Sequence, residues 1–120
     1  ILRLYFARDF EGPWMEHPRS PIITNDMSRA RPAGRILQLD GREIRFAQDC
    51  FPDYGTRVRA FEINELTSDT YVEVEHANSP ILSSSGQGWN AGGMHHVDAH
   101  RQPDGSWIAC VDGRSGVHLC

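Results

Sequence analysis

Apolar and polar residues alternate along this chain in short runs, and Gly, Pro, Asp and Asn bound those runs. A spacing of two marks strands, because successive side chains on a strand point to opposite faces. No window sustains a helical period, and the nearest candidate, residues 57–66, reads better as a strand ending in a turn. The first predicted strand is residues 2–7. Gly12-Pro13 turns the chain, and residues 14–17 start a short edge piece that Pro18 and Pro21 end. Residues 31–39 are extended, Asp40-Gly41 is a hairpin signal, and residues 43–49 return. Residues 52–55 form a loop, and residues 57–63 form the next strand. Residues 70–75 set Tyr71, Glu73 and Glu75 against Val72 and Val74, the pattern of a half-exposed outer strand. Residues 79–93 are rich in Ser and Gly and read as a long loop. Residues 94–100 are a strand, Asp104-Gly105 turns it into residues 107–111, and Asp112-Gly113 closes that strand.

The order of these pieces predicts an architecture. Strand, Asp-Gly, strand occurs at 31–49 and again at 94–111, and the first pair is followed by two more strands. The chain start resembles the last two strands of the same four-strand pattern. The count is a half unit, a whole unit and a half unit: residues 1–27 end one blade, 28–78 are a complete blade, and 79–120 begin the next. Antiparallel four-stranded units in series are blades of a β-propeller. A small β-sandwich also fits strands at this spacing. About two blades' worth of chain cannot close a ring of roughly four to eight blades. The expectation is therefore a homo-oligomer or a fragment of a longer chain, and the absence of an initiator Met agrees with a fragment.

Composition narrows the partners. The 120 residues carry 12 basic and 16 acidic side chains, a net charge of −4, and every basic residue is Arg. Without Lys, Schiff-base chemistry and a P-loop lysine are excluded. An acidic balance without a basic stripe argues against nucleic acid. No apolar run is long enough to cross a bilayer, and the N-terminus lacks the layout of a signal peptide. Localisation stays open. Cys50, Cys110 and Cys120 form neither a disulfide framework nor a zinc knuckle. Buried thiols acting as small hydrophobes are the default reading for Cys50 and Cys110.

Three clusters carry candidate chemistry. In residues 94–100, strand alternation puts His96, Asp98 and His100 on one face, His95 on the other, and Val97 and Ala99 into the core. Imidazole and carboxylate on one face suit a divalent ion, the candidate cofactor. Alternate positions lie about 6.5 Å apart, so neighbours can share an ion and all three need a bend. The other reading is a wet channel lining. The second cluster is Arg31, Arg35, Arg45, Gln48 and Asp49. Pairing across Asp40-Gly41 is expected to bring Arg35 near Arg45 and Arg31 near Asp49. Such a group is a clamp for a carbohydrate or another small polar ligand, or an Arg–Asp ladder that satisfies itself. Glycoside hydrolysis needs two carboxyls about 5–9.5 Å apart, and Asp49 and Asp98 are the candidates. The third cluster is aromatic. Trp89 in the Gly/Ser loop is a candidate to stack on a sugar or to pack on its own blade, and Trp14 and Trp107 are expected in the core.

A resemblance adds to this. The stretches Phe6-Ala7-Arg8-Asp9 with Gly12-Pro13-Trp14, residues 30–35, Gly41-Arg42 through Ala47-Gln48-Asp49-Cys50, Tyr54-Gly55, Gly93-Met94-His95-His96, Trp107 and Val111-Asp112-Gly113 together resemble a known propeller. It is the module at the N-terminus of plant glucosamine inositolphosphorylceramide transferases and of related bacterial proteins. That module is similar in turn to the five-bladed furanosidase-like propellers of arabinanases, xylosidases, invertases and levansucrases. The resemblance implies an incomplete five-bladed-type ring and a carbohydrate-related role. It implies that transferase chemistry sits in a separate domain, and that hydrolase carboxylates lie on earlier blades. It also implies a late-blade histidine, His95 or His96, near a central ion. Two function classes follow: a sugar-binding segment of a glycoside-hydrolysing or glycosyl-transferring protein, or a non-enzymatic half-propeller that self-assembles for binding or scaffolding.

Overall fold

A computed structural model describes residues 1–116. The strands are β1 (Tyr5–Phe6), β2 (Met15–Glu16), β3 (Arg31–Pro32), β4 (Leu37–Leu39), β5 (Arg42–Asp49), β6 (Arg57–Leu66), β7 (Tyr71–Glu75), β8 (Leu82–Ser83), β9 (Val97–Arg101) and β10 (Trp107–Val111). Gly88–Asn90 is a 3-10 turn, and no α-helix occurs among the described residues. No helix there is long and apolar enough to cross a membrane. The chain is all-β and every strand pair is antiparallel. A six-stranded sheet runs β3-β5-β6-β7, with β4 also beside β5 and β8 beside β6. β1-β2 and β9-β10 are separate two-stranded sheets, and among the described residues no sheet closes on itself. β8 lies inside the expected 79–93 loop.

The hairpin at Asp40-Gly41 forms as the dipeptide predicts, with φ of 49° and 79°. Both residues need the left-handed region that a two-residue turn of this hand requires. Leu39 pairs with Arg42 and Leu37 with Ile44. Further on, Arg31 pairs with Gln48 and Pro32 with Ala47. Residues 33–36 therefore face only 45–46, so the ladder slips by two positions. This bulge corrects the expected register: Arg31 lies opposite Gln48 and not Asp49, and Arg35 leaves the ladder instead of meeting Arg45. Its cause is the docking of β9. Val97 N–H donates to the Ala33 carbonyl at 2.9 Å. A Cβ on Gly34 would lie 2.0 Å from the Val97 carbonyl oxygen, and Gly34 has φ of 130°.

The two faces of the large sheet differ. Ile44, Phe46, Val58 and Ala60 line one face and form the apolar core with Ala33 and Val97, flanked by Leu37, Leu39, Leu82 and Ala99. Val97 and Ala99 thus pack inward, as alternation on β9 requires. The opposite face carries Arg45, Asp49, Arg57, Arg59 and Glu73, and the N-terminal segment covers it. Arg45 donates to the Arg29 carbonyl at 3.2 Å, and the buried His17 ring nitrogen lies 2.9 Å from the Thr67 carbonyl. Glu73 is consequently buried on β7, whereas Val72 and Val74 are exposed. Trp14 and Trp107 are also exposed rather than in the core, as is Cys110, because the two-stranded sheets leave much of their surface uncovered. Cys50 is buried with a free thiol. Cys120 lies outside the described residues.

Candidate functional site

A cleft of about 710 Å³ lies at one end of the large sheet. Asn25, Asp26, Met27 and Ala30 form one wall, and Arg31, Cys50, Asp53 and Tyr54 form the other. Backbone bonds fix both walls. Cys50 N–H donates to the Met27 carbonyl at 2.9 Å, tying the 25–30 segment to the end of β5. Thr56 N–H donates to the Asp49 carbonyl at 3.0 Å, and the Thr56 hydroxyl donates to the Asp53 carbonyl at 2.7 Å, closing the 50–55 loop. Gly55 makes that turn with φ of 66°, a conformation costly for a residue with a side chain. The Arg31 guanidinium sits over the Tyr54 ring, 5.2 Å from its centroid. Asp26 accepts from the Ser28 hydroxyl and amide and from Arg29, and the Ser28 hydroxyl foremost holds its carboxyl below the usual range.

The other charged residues of the expected clamp are partnered elsewhere. Arg45 forms a bidentate pair with Glu73 at 2.7 and 2.8 Å, with both side chains under a tenth exposed. Such two-pronged contacts are the strong ones. Removing one member of a buried pair typically costs about 3–5 kcal/mol. Tyr71 donates to Glu73, and burial first, then that carboxylate, pushes the phenol above its ordinary range. Asp49 is 1% exposed and lies 2.9 Å from Arg59 and 3.1 Å from Arg57. Arg59 reaches on to Glu75 at 2.8 Å. Gln48 donates to the Pro32 carbonyl at 3.1 Å. Of the clamp candidates, Arg31 alone lines the cleft.

On β9, Asp98 faces Arg35, with contacts of 2.6 and 3.0 Å, and lies 3.2 Å from His100. The Arg35 hydrogen bonds hold its carboxyl below the usual range. Arg35 Nη2 is also 3.3 Å from His100 Nε2. His96 precedes the strand, beside Gly34. Among the described residues, no three of His, Cys, Asp or Glu gather as a metal site. Asp49 and Asp98 stand on different sheets. Trp89 is largely exposed yet packs against the Gly113 backbone, where a Cβ would lie 2.5 Å from its ring.

One pair was not anticipated. His95 Nδ1 lies 2.7 Å from Asp112 Oδ2, and His95 N–H donates to Asp112 Oδ1 at 3.0 Å. The His95 ring meets the Tyr54 ring edge-on, centroids 5.2 Å apart. The sequence signal was present in the glycine-flanked pair of segments 93–95 and 112–113. Their juxtaposition depends on the β9-β10 register, which ends at Val97 opposite Val111.

Comparison with known proteins adds identity to this geometry. The sequence profile of the family described as glucosamine inositolphosphorylceramide transferase 1, N-terminal, matches residues 1–114. Glucosamine inositolphosphorylceramide transferase 1 of Oryza sativa subsp. japonica is 35% identical over 114 residues, covering 93% of this chain and 15% of that protein. The Oryza sativa subsp. indica and Arabidopsis thaliana proteins of the same name match at the same identity and coverage. The chain spans about 15% of the length of these curated relatives. No solved structure matches it. The profile match runs through both walls of the cleft and on to His95 and Asp112, so the chain belongs to the family of glucosamine inositolphosphorylceramide transferase 1 N-terminal regions.

Proposed function

We propose that this chain is a carbohydrate-binding segment of a sugar-transferring protein, that its sheets are blades of an incomplete five-bladed-type propeller, and that the cleft between Asn25 and Tyr54 holds the sugar. The observation that carries the reading is the cleft, where an arginine and a tyrosine ring converge beside Asp53 and Asn25. A sugar needs an apolar face to cover its C–H surface and polar groups to hold its hydroxyls. Tyr54 supplies the first, and Arg31, Asn25 and Asp53 supply the second. The names of the relatives agree with a sugar-transferring context. The role assigned to the chain is binding rather than hydrolysis, since arginines engage both candidate carboxylates, Asp49 and Asp98.

Glucosamine and glucose, titrated into the full chain by calorimetry and by amide chemical shifts, test the reading. Shifts are expected at Arg31, Asp53 and Tyr54. Arg31→Ala is expected to weaken glucosamine binding about tenfold with little change in melting temperature, because an exposed arginine contributes about 0–1 kcal/mol to folding. A large fall in melting temperature with unchanged binding would assign Arg31 to the structure instead. The second reading, a non-enzymatic self-assembling module, is favoured by one observation, the edge of β10 that is unpaired among the described residues, a strand on which all five residues are exposed.

A further inference from the structure

The geometry points to His95 as a hydrogen-bond acceptor for a sugar hydroxyl at the rim of this cleft, held in one tautomer by Asp112. The inference rests on the sugar reading of the cleft and adds a residue that does not line it. The Asp112 carboxylate accepts from the His95 backbone N–H and lies 2.7 Å from its Nδ1. Nδ1 makes no hydrogen bond of ordinary geometry. At 2.7 Å, however, an unprotonated, electron-rich nitrogen is repelled by the carboxylate oxygen whatever the angle between them, so a ring proton belongs on Nδ1. That leaves Nε2 as an acceptor, because a neutral imidazole has one donor and one acceptor nitrogen.

Nε2, with no hydrogen-bond partner among the described residues, is not buried as Nδ1 is. The side chain as a whole is 28% exposed. The ring is seated against the 50–55 loop. A Cβ on Gly55 would lie 2.4 Å from His95 Cδ2, and one on Gly93 would lie 2.1 Å from the Gly55 carbonyl oxygen. These two glycines let the 93–95 segment approach the loop that carries Tyr54. His95 then stands edge-on to the same tyrosine whose ring faces Arg31. A sugar lying along Tyr54 would present a ring hydroxyl to Nε2.

Nitrogen-15 NMR of histidine-labelled full chain, with His95→Gln used to assign the resonance, reads the tautomer directly. The expected His95 Nε2 signal is that of an unprotonated nitrogen, and it should move on saturation with glucosamine. Asp112→Asn puts an amide donor against Nδ1 and transfers the proton to Nε2. It should weaken glucosamine binding about tenfold, the loss expected of one hydrogen bond converted at about 1.4 kcal/mol per factor of ten. His95→Gln, whose amide oxygen can also accept, should retain more affinity than His95→Ala. A protonated Nε2 in the wild-type chain overturns the inference. So does glucosamine binding that Tyr54→Ala abolishes while His95→Ala and Asp112→Asn, both still folded by amide spectrum, leave it intact. Failure of wild-type protein to bind glucosamine or glucose instead overturns the sugar reading of the cleft, and the acceptor role with it.

Discussion

Asp98 shows how a single residue's chemistry depends on its neighbours across the fold. Its carboxylate is gripped by Arg35, 63 positions away, and its pKa is lowered. Asp26, through the Ser28 hydroxyl, and Glu75, through the Ser79 hydroxyl, are lowered in the same way. In the unfolded chain these groups return to their ordinary values of 3.8 for Asp and 4.5 for Glu. The unfolded state therefore binds protons first as pH falls, and stability follows that difference. The stabilisation is fully present at neutral pH and is lost as pH falls from about 4.5 through the lowered folded-state values. Urea midpoints at pH 7, 5 and 3 should decline mainly across the last interval, and Asp98→Asn should flatten that decline. A midpoint as high at pH 3 as at pH 7 would show that these carboxylates do not contribute.

At the scale of elements, β5 and β6 are the organising pair, joined over seven residue positions from Glu43 opposite Ile63 to Asp49 opposite Arg57. Their apolar face carries the core through Phe46, Val58 and Ala60. Phe46→Ala removes a buried ring between the sheets and is expected to cost about 3–5 kcal/mol in denaturant unfolding. Val74→Thr, on the exposed part of β7, should change stability by no more than about 0.5 kcal/mol. Alternation on β7 was legible in the sequence, but it did not reveal that Glu73 would be buried while Val72 and Val74 are exposed. A strand pattern marks two faces, and what packs against each face is decided by other segments. Here the N-terminal segment covers the charged side, and Arg45 neutralises Glu73 beneath it.

For the molecule as a whole, β1-β2 and β9-β10 are the two-stranded sheets that stand apart from the large one. Among the described residues β10 pairs only with β9, and Trp107, Ile108 and Val111 on it are exposed apolar residues. An uncharged strand edge of this kind templates further pairing. Light scattering across a concentration series is expected to show association, and Ile108→Lys is expected to reduce it without altering the melt of the β5-β6 core. A single species of 13.5 kDa at every concentration would remove this prediction.

The sequence by itself determined the all-β class, the hairpin at Asp40-Gly41, the long strands β5 and β6, and the inward facing of Val97 and Ala99. These follow from local rules: period-two alternation, and a dipeptide that tolerates positive φ at both positions. Only the tertiary structure decided which charge meets which. Arg45 with Glu73, Arg35 with Asp98, Asp49 between Arg57 and Arg59, and His95 with Asp112 all follow from how the sheets stack and where the ladder slips at residues 33–36. The slip arises because β9 docks its backbone against Gly34, a contact made between residues more than 60 positions apart. No local pattern encodes such a contact. A displacement of two residues in one ladder is enough to send Arg35 to Asp98 and leave Arg31 at the cleft.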